Sequence, residues 1–298
     1  MEWILISVAA AAFQTLRFML QKSLSMNGLS AGGATLARFL FSAPFVMVLA
    51  VVYVTQTAPQ MPTLGNGFVA YALVGALAQI LATWCVVALF AERSFAVGIT
   101  FKKTEVIQTA LVGFLVLGDR ISTGGLQAIL LGLVGVVILS KRTDGAVGWR
   151  GLINRASGLG LLSGAFFAVS AVGYRGATLE VGSDDPLVRS LVSLAFVTAS
   201  QSVGLGLWLR WREPGEFTRV AGSWRQSLWM GLASLGGSLG WFTAFTLQNA
   251  AYVFAVGQVE VIFSIAISAL VFKEVTTRRE FAGIALITAS VLIMVLFL

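Results

Sequence analysis

Ten stretches of this chain are almost wholly apolar and about 20 residues long, the length at which a helix rising 1.5 Å per residue crosses a bilayer core. They lie near 3–21, 34–54, 68–90, 95–117, 123–140, 157–175, 186–209, 227–248, 251–272 and 281–298. No connection between them is long enough to hold a soluble domain. The pattern predicts an all-α polytopic membrane protein with ten transmembrane helices. Only 11% of the 298 residues are charged and 57% are hydrophobic, where soluble domains carry about 25% charged residues. A soluble enzyme, a disordered chain and a fibrous protein are all excluded on that ground. The first stretch follows Glu2 with no Lys or Arg before it, unlike the basic start of a signal peptide, so it is expected to be a retained helix.

Two absences narrow the chemistry. There is no histidine, and the single cysteine, Cys85, sits inside an apolar run. Ser-His-Asp catalysis, His-ligated metals and intrachain disulfides are therefore out of reach. The run Gly236-Gly237-Ser238-Leu239-Gly240 matches a nucleophile-elbow pattern, but no histidine can activate its serine. Asp184-Asp185, beside Pro186, lacks the second acidic cluster of a metal-dependent prenyl-transfer site and reads as a helix cap. No enzyme activity, cofactor or metal is expected. An intramembrane lipid or prenyl transferase and a channel are the alternatives to a transporter. The transferase lacks a catalytic set, and a channel would need rings of pore residues in an oligomer.

The net charge of +7 resolves by position. Odd-numbered loops hold Lys22, Arg93, Lys141, Arg142, Arg150, Arg155, Arg210, Arg212, Arg219, Arg225, Lys273, Arg278 and Arg279, whereas even loops hold only Arg120 and Arg175. The positive-inside rule places the odd loops in the cytoplasm and both termini outside. The excess of positive charge is thus an orientation signal, with no bearing on nucleic acid. The lipid bilayer is the expected partner.

The chain is also duplicated. At an offset of 155, Thr104-Glu105-Val106-Ile107 falls on Val259-Glu260-Val261-Ile262, Leu115-Val116 on Leu270-Val271, and Asp119 on Glu274. At 151, Leu36-Ala37-Arg38 falls on Leu187-Val188-Arg189; at 153, Phe13 meets Phe166 and Lys22 meets Arg175. Apolar matches follow from composition, but paired intramembrane charges do not, because such charges are rare. Spans one to five thus match spans six to ten. Five is odd, so the copies enter the membrane in opposite directions, as two inverted five-helix repeats around a central cavity. The expected units are residues 1–142 and 157–298, joined by a cytoplasmic linker over 143–156. A single chain would then contain the whole pathway and work as a monomer.

Ten spans, two five-span repeats and the Glu105/Glu260 and Asp119/Glu274 correspondences resemble the drug/metabolite transporter (DMT) superfamily, EamA type. The YddG-type amino-acid exporters are a neighbour within it. The resemblance implies a secondary transporter of a bacterial-type inner membrane. It would export small amphipathic metabolites, amino acids including aromatic ones foremost, or other metabolites or drugs. It also implies a cavity bordered by spans 1, 3, 4, 6, 8 and 9.

Charges inside spans mark the candidate site. Lys102 and Glu105 are three residues apart and share a helix face with Thr109, with Gln108 adjacent. Lys103 should point about 100° away from Lys102, toward another partner. This cluster reads as a substrate carboxylate on Lys102 and an amine or proton on Glu105, or as a structural ion pair. Glu260 stands at the related place, with Gln258 nearby. It is open to Arg17 or Lys103 as a partner. Glu105 and Glu260 are the only intramembrane acids, hence the candidates for proton coupling. Gln14, Arg17 and Gln21 share one face of span one and suit a cavity wall. Trp84 and Trp241, mid-span in related places, read as cavity walls or as packing. Arg38 and Arg189, near the starts of their spans, are expected to snorkel to the interface or to stitch the repeat together.

Overall fold

The computed structural model describes residues 2–58, 60–93, 95–117, 155–275 and 277–297, together with 123, 127, 131, 134, 135 and 138. The first half runs α1 (Glu2–Met26), α2 (Ala31–Thr57), β1 (Thr63–Leu64), α3 (Phe68–Leu89), α4 (Phe95–Lys102) and α5 (Glu105–Leu117). The second runs α6 (Arg155–Leu179), β2 (Val181–Gly182), α7 (Pro186–Arg212), α8 (Glu216–Gly222), α9 (Trp224–Leu247), α10 (Ala250–Val256), α11 (Val259–Leu270) and α12 (Arg278–Phe297). The fifth expected span falls largely outside the described residues, as do Asp119 and the linker up to 154.

Six described stretches are long and apolar enough to cross a membrane: Glu2–Met26, Ala31–Thr57, Phe68–Leu89, Arg155–Leu179, Pro186–Arg212 and Ala250–Leu270. Their polarity is that of a lipid-facing bundle. Leu77, Val203, Leu207, Ile262 and Leu270 are exposed, whereas Arg17, Lys102, Lys103, Glu105 and Glu260 are buried. Hydroxyl side chains spend their donors on their own helix, as Thr15 does on the Ala11 carbonyl and Thr35 on that of Ala31. Without water in a hydrocarbon core, such internal partners are obligatory.

Local sequence fixes the helix starts. Ser30 caps α2, its Oγ accepting from the Gly33 N–H at 2.9 Å. Asp185 caps α7, accepting from the Leu187 N–H at 2.7 Å, with Pro186 in the first turn where its missing N–H costs nothing. The Asp184-Asp185 pair is thus a cap, as expected. Asn249 caps α10 in the same way.

Spans four and nine depart from the continuous helices expected of them. Span four breaks at Lys103-Thr104 and span nine at Gly257-Gln258, within one residue of the 155 offset that aligns Glu105 with Glu260. Each break leaves a helix N-terminus, α5 or α11, with a glutamate in its first turn. A carboxylate there meets the positive end of the helix dipole.

Helices of one half pack on those of the other. The most extensive contacts are α3 with α6, α1 with α9 and α2 with α7. Small residues let them approach: a Cβ on Gly173 would lie 2.9 Å from the Tyr71 carbonyl oxygen, and one on Gly240 2.8 Å from the Ala10 Cβ. At one end of the bundle, Lys22 pairs with Glu274 and Arg155 with Glu92, and Ser30 donates to Glu216. At the other, β1 pairs antiparallel with β2, and Glu180 accepts from the Gly67 N–H. The first end carries the described odd-loop residues Lys22, Arg155 and Glu274 and is called the basic end below.

Candidate functional site

The two helix breaks meet in the interior and bring four charges together. Lys102 Nζ lies 2.9 Å from Glu105 Oε1 and 3.2 Å from Glu260 Oε2. Lys103 Nζ lies 3.5 Å from Glu105 Oε1 and 2.5 Å from Glu260 Oε2. All four side chains are 1% exposed or less. Two cations and two anions form a neutral quartet that bridges the halves. The Lys102–Glu105 pair expected from the three-residue spacing is present. Lys103, expected to point elsewhere, shares both carboxylates. The reason is the break: Lys103 follows the last residue of α4, so helical periodicity no longer sets its direction. Lys103 also donates to the Gly257 carbonyl at 3.2 Å, tying one break to the other.

One oxygen of each carboxylate, Glu105 Oε2 and Glu260 Oε1, is buried with no hydrogen-bond partner among the described residues. Such acceptors can take a proton or an ammonium group at little structural cost.

Span one supplies the next layer. Gln14 Nε2 donates to Glu260 Oε2 at 3.0 Å, and Gln14 Oε1 accepts from Trp241 Nε1 at 3.0 Å. Arg17 reaches the same Gln14 oxygen at 3.4 Å and stacks its guanidinium 4.3 Å from the Phe18 ring centre. Its Nε is buried without a partner. Gln14 thus touches the quartet directly, Arg17 and Trp241 reach it through Gln14, and among the described residues Arg17 has one long hydrogen bond.

Beside this layer lies a narrow cavity lined by Gln14, Arg38, Gln79, Phe167, Ser170, Ala171, Tyr174, Ser238, Trp241, Phe242, Phe245 and Phe254. Arg38, expected to snorkel or to stitch, ties α2 to its neighbours. It does not snorkel; it is 4% exposed. The helix start explains this, since α2 begins at Ala31, three residues earlier than expected, and Arg38 sits two turns in. Arg38 donates to Thr83 Oγ1 at 2.9 Å, Ser234 Oγ at 3.2 Å and Ser238 Oγ at 3.4 Å. With the Gln79 amide oriented to satisfy both neighbours, its oxygen accepts from Arg38 at 2.9 and 3.3 Å and its nitrogen donates to Ser170 at 2.7 Å. Helical stripes signal this in the sequence: Thr35, Arg38 and Ser42 in span two, Gln79 and Thr83 in span three, Ser234 and Ser238 in span eight. Its repeat partner Arg189 stitches, as expected: its Nε donates to the Thr178 carbonyl at 2.8 Å.

Three expected site residues lie apart from the quartet. Trp84 packs edge-on against Trp208 at 5.0 Å, in a groove between α3 and α7. Gln108 turns toward α6, donating to the Leu161 carbonyl at 3.3 Å. Gln258 occupies the break before α11 and donates to the Phe254 carbonyl at 3.1 Å; its amide oxygen is buried without a partner.

The basic end is closed by a latch. Glu274 Oε1 pairs with Lys22, while Oε2 accepts from Ser268 Oγ at 2.6 Å and from the Phe95 N–H at 2.8 Å. Lys22 Nζ also sits 4.3 Å from the Phe272 ring centre. Burial pushes the Glu274 carboxyl up, but the hydrogen bonds from Lys22, Ser268 and Phe95 outweigh it and hold its pKa below the ordinary value. At the opposite end, Arg175, the repeat partner of Lys22, donates to the Phe245 and Gln248 carbonyls at 2.6 and 2.7 Å.

A solved structure titled "Crystal structure of protein" superposes with a TM-score of 0.65 at 13% identity, covering 99% of this chain and 96% of its own. That likeness shows a shared fold. No curated protein matches the chain. Residues 155–296 match the EamA-like transporter family. The second half of this chain, residues 155–296, is thus similar to the EamA-like transporter family, and six described stretches of the chain are long and apolar enough to cross a membrane.

Proposed function

We propose that the chain is a secondary active transporter that moves small amphipathic metabolites by alternating access of two inverted five-helix repeats. The observation that carries this reading is the neutral Lys102–Lys103–Glu105–Glu260 quartet at the two helix breaks. Broken helices at corresponding places in two halves are where transporters of this design hold substrate and coupling ion. The packing supports the two-fold relation. Exchanging the halves turns the α1–α9 contact into α6–α3 and leaves α2–α7 in place. Ten spans rest on the ten apolar runs of the sequence.

Amino acids are the favoured cargo, exported through a single chain of an inner membrane with both termini outside. The free oxygens of Glu105 and Glu260 are acceptors for an ammonium or a proton, and aromatic side chains wall the adjacent cavity. A proton on Glu260 leaves Lys102 and Lys103 facing one carboxylate. The bridge between the halves then loosens, and deprotonation restores it. Glu105 and Glu260 thus couple proton movement to the exchange of conformations. Gln14, Arg17 and Trp241 border the substrate, with Gln258 at the hinge of span nine.

The test is counterflow of labelled amino acids in proteoliposomes, with and without a pH gradient. Saturable flux, driven by the gradient and uncoupled from it in Glu105→Gln and Glu260→Gln, is the expected result. Unsaturable conductance would indicate a channel. No flux with any member of the panel would refute the amino-acid reading and leave the superfamily's other metabolites to be screened. Survival of both flux and pH dependence in both variants would remove the proton role.

A further inference from the structure

Buried charge in the described residues is balanced at the quartet and unbalanced at Arg17, which stands beside the quartet and its two carboxylates, and at Arg38, which faces no acid. Lys102 and Lys103 each face two carboxylates. They have no charge to spare for an acidic ligand. Arg38 is as deeply placed, yet every partner it has is neutral: Thr83, Ser234, Ser238 and Gln79. Among the described residues, no Asp or Glu lines its cavity. An uncompensated cation inside a membrane is costly and stands at a functional place by default. Its five N–H groups are all donated to these neutral acceptors, so an incoming anion gains bidentate contact with the fork by displacing the longest of them, Ser238 and Gln79 at 3.4 and 3.3 Å.

The rest of the cavity specifies what accompanies that anion. Trp241 and Phe245 are stacked at 5.9 Å, and Phe254 meets Phe245 edge-on at 5.2 Å. Tyr174 lies against Phe242 at 4.3 Å. Aromatic walls of this kind bury an apolar or aromatic body and offer a charged ammonium no acidic partner.

The cavity between α2, α3, α6 and α9 is about 20 Å³ here, room for a water and no more; we infer that, when the halves move apart and widen it, Arg38 is the anchor for the carboxylate of a ligand with an apolar or aromatic body. The inference rests on the transport reading for the ligand's purpose, though not for its binding. The carboxylate displaces the weakest acceptors of Arg38 and supplies the missing negative charge, while the body lies along Trp241, Phe245 and Phe254.

The experiment is equilibrium binding to the full chain in lipid nanodiscs, read by Trp241-sensitive tryptophan fluorescence and by thermal shift. The probes are 3-phenylpropionate, phenylalanine and phenethylamine. Both carboxylates should bind and compete with each other, and the amine should not displace them. Arg38→Gln should weaken 3-phenylpropionate about 30-fold or more, the usual consequence of truncating a buried charge pair. Arg38→Lys, which keeps the charge and loses the fork, should fall between. If Arg38→Gln does not fold, the probe series on the native protein decides alone. Equal binding of the amine, unchanged 3-phenylpropionate affinity in a folded Arg38→Gln, or no binding of either carboxylate would overturn the anchor. Arg38-dependent binding without amino-acid counterflow would refute the transport reading and leave the anchor standing. Counterflow that survives Arg38→Gln with unchanged half-saturation would do the reverse.

Discussion

Replacing Glu260 by Gln puts the neutral quartet to a quantitative test. Glu260 Oε2 accepts from Lys103 at 2.5 Å, Gln14 at 3.0 Å and Lys102 at 3.2 Å. The amide keeps the shape and removes the charge, so two buried lysines are left with Glu105 alone. One unit pair at 4 Å is worth about 4 kcal/mol at an effective dielectric of 20. Desolvation of the ammonium groups is not recovered when a partner is lost, and breaking one side of a buried pair typically costs about 3–5 kcal/mol. Glu260→Gln should therefore destabilise the protein by about 3–5 kcal/mol, a large share of the roughly 5–15 kcal/mol that holds most domains folded. Adding Lys103→Met restores neutrality by leaving Lys102 with Glu105. The double variant should recover a coupling energy of about 0.5–3 kcal/mol, the range for residues in one network. Denaturant unfolding in mixed micelles of all four proteins completes the cycle. A loss below about 1 kcal/mol in Glu260→Gln, the size of an exposed ion pair, would refute the buried, balanced quartet. So would additive effects of the two substitutions.

Other perturbations test the packing and the latch. Gly173→Ala places a Cβ 2.9 Å from the Tyr71 carbonyl oxygen and 3.0 Å from the Gly75 Cα; it should lower the melting temperature, whereas Gly204→Ala, with nothing within 4 Å, should leave it unchanged or raise it through helix propensity. Asp185→Ala removes the α7 cap and the acceptor of the Tyr53 hydroxyl at 3.0 Å, and should cost about 0.5–2 kcal/mol in unfolding measurements. Glu274 has a depressed folded-state pKa, so its contribution is present above the unfolded value near 4.3 and fades as pH falls through the lower folded value. The stability gap between the native protein and Glu274→Gln should accordingly be constant above about pH 5 and narrow below it; a gap that widens on acidification would reverse the sign.

Much of the fold was legible because bilayer thickness imposes one length on every span. The expected spans at 68–90 and 186–209 are α3 and α7 to within a few residues. Paired charges are what suggest a duplication, since Glu105 and Glu260 have few compositional reasons to recur. What apolar runs cannot register is a helix break. Span four reads as continuous, and so Lys103 was aimed by a periodicity that ends one residue before it. Arg38 was misplaced for a related reason. Hydropathy sets a helix start at the first apolar residue, but the Ser30 cap sets it earlier, over Ala31-Gly32-Gly33, and carries Arg38 deeper. Trp84 shows the limit of symmetry: it occupies a place close to that of Trp241, yet packs on Trp208, because the second half offers it an aromatic neighbour there.

The reciprocal motion of the two ends is open to direct measurement. With Cys85 replaced by Ala, spin labels at Met26 and Val275 report the basic end, and labels at Met61 and Leu247 the opposite end; all four positions are exposed. Distances are recorded by pulsed electron resonance in nanodiscs, for the native quartet and for Glu260→Gln. Opening of the basic end with closing of the other, in populations that shift when the quartet is neutralised, is the expected result. Distances that stay fixed at both ends, or that grow and shrink together, would contradict alternating access governed by the quartet.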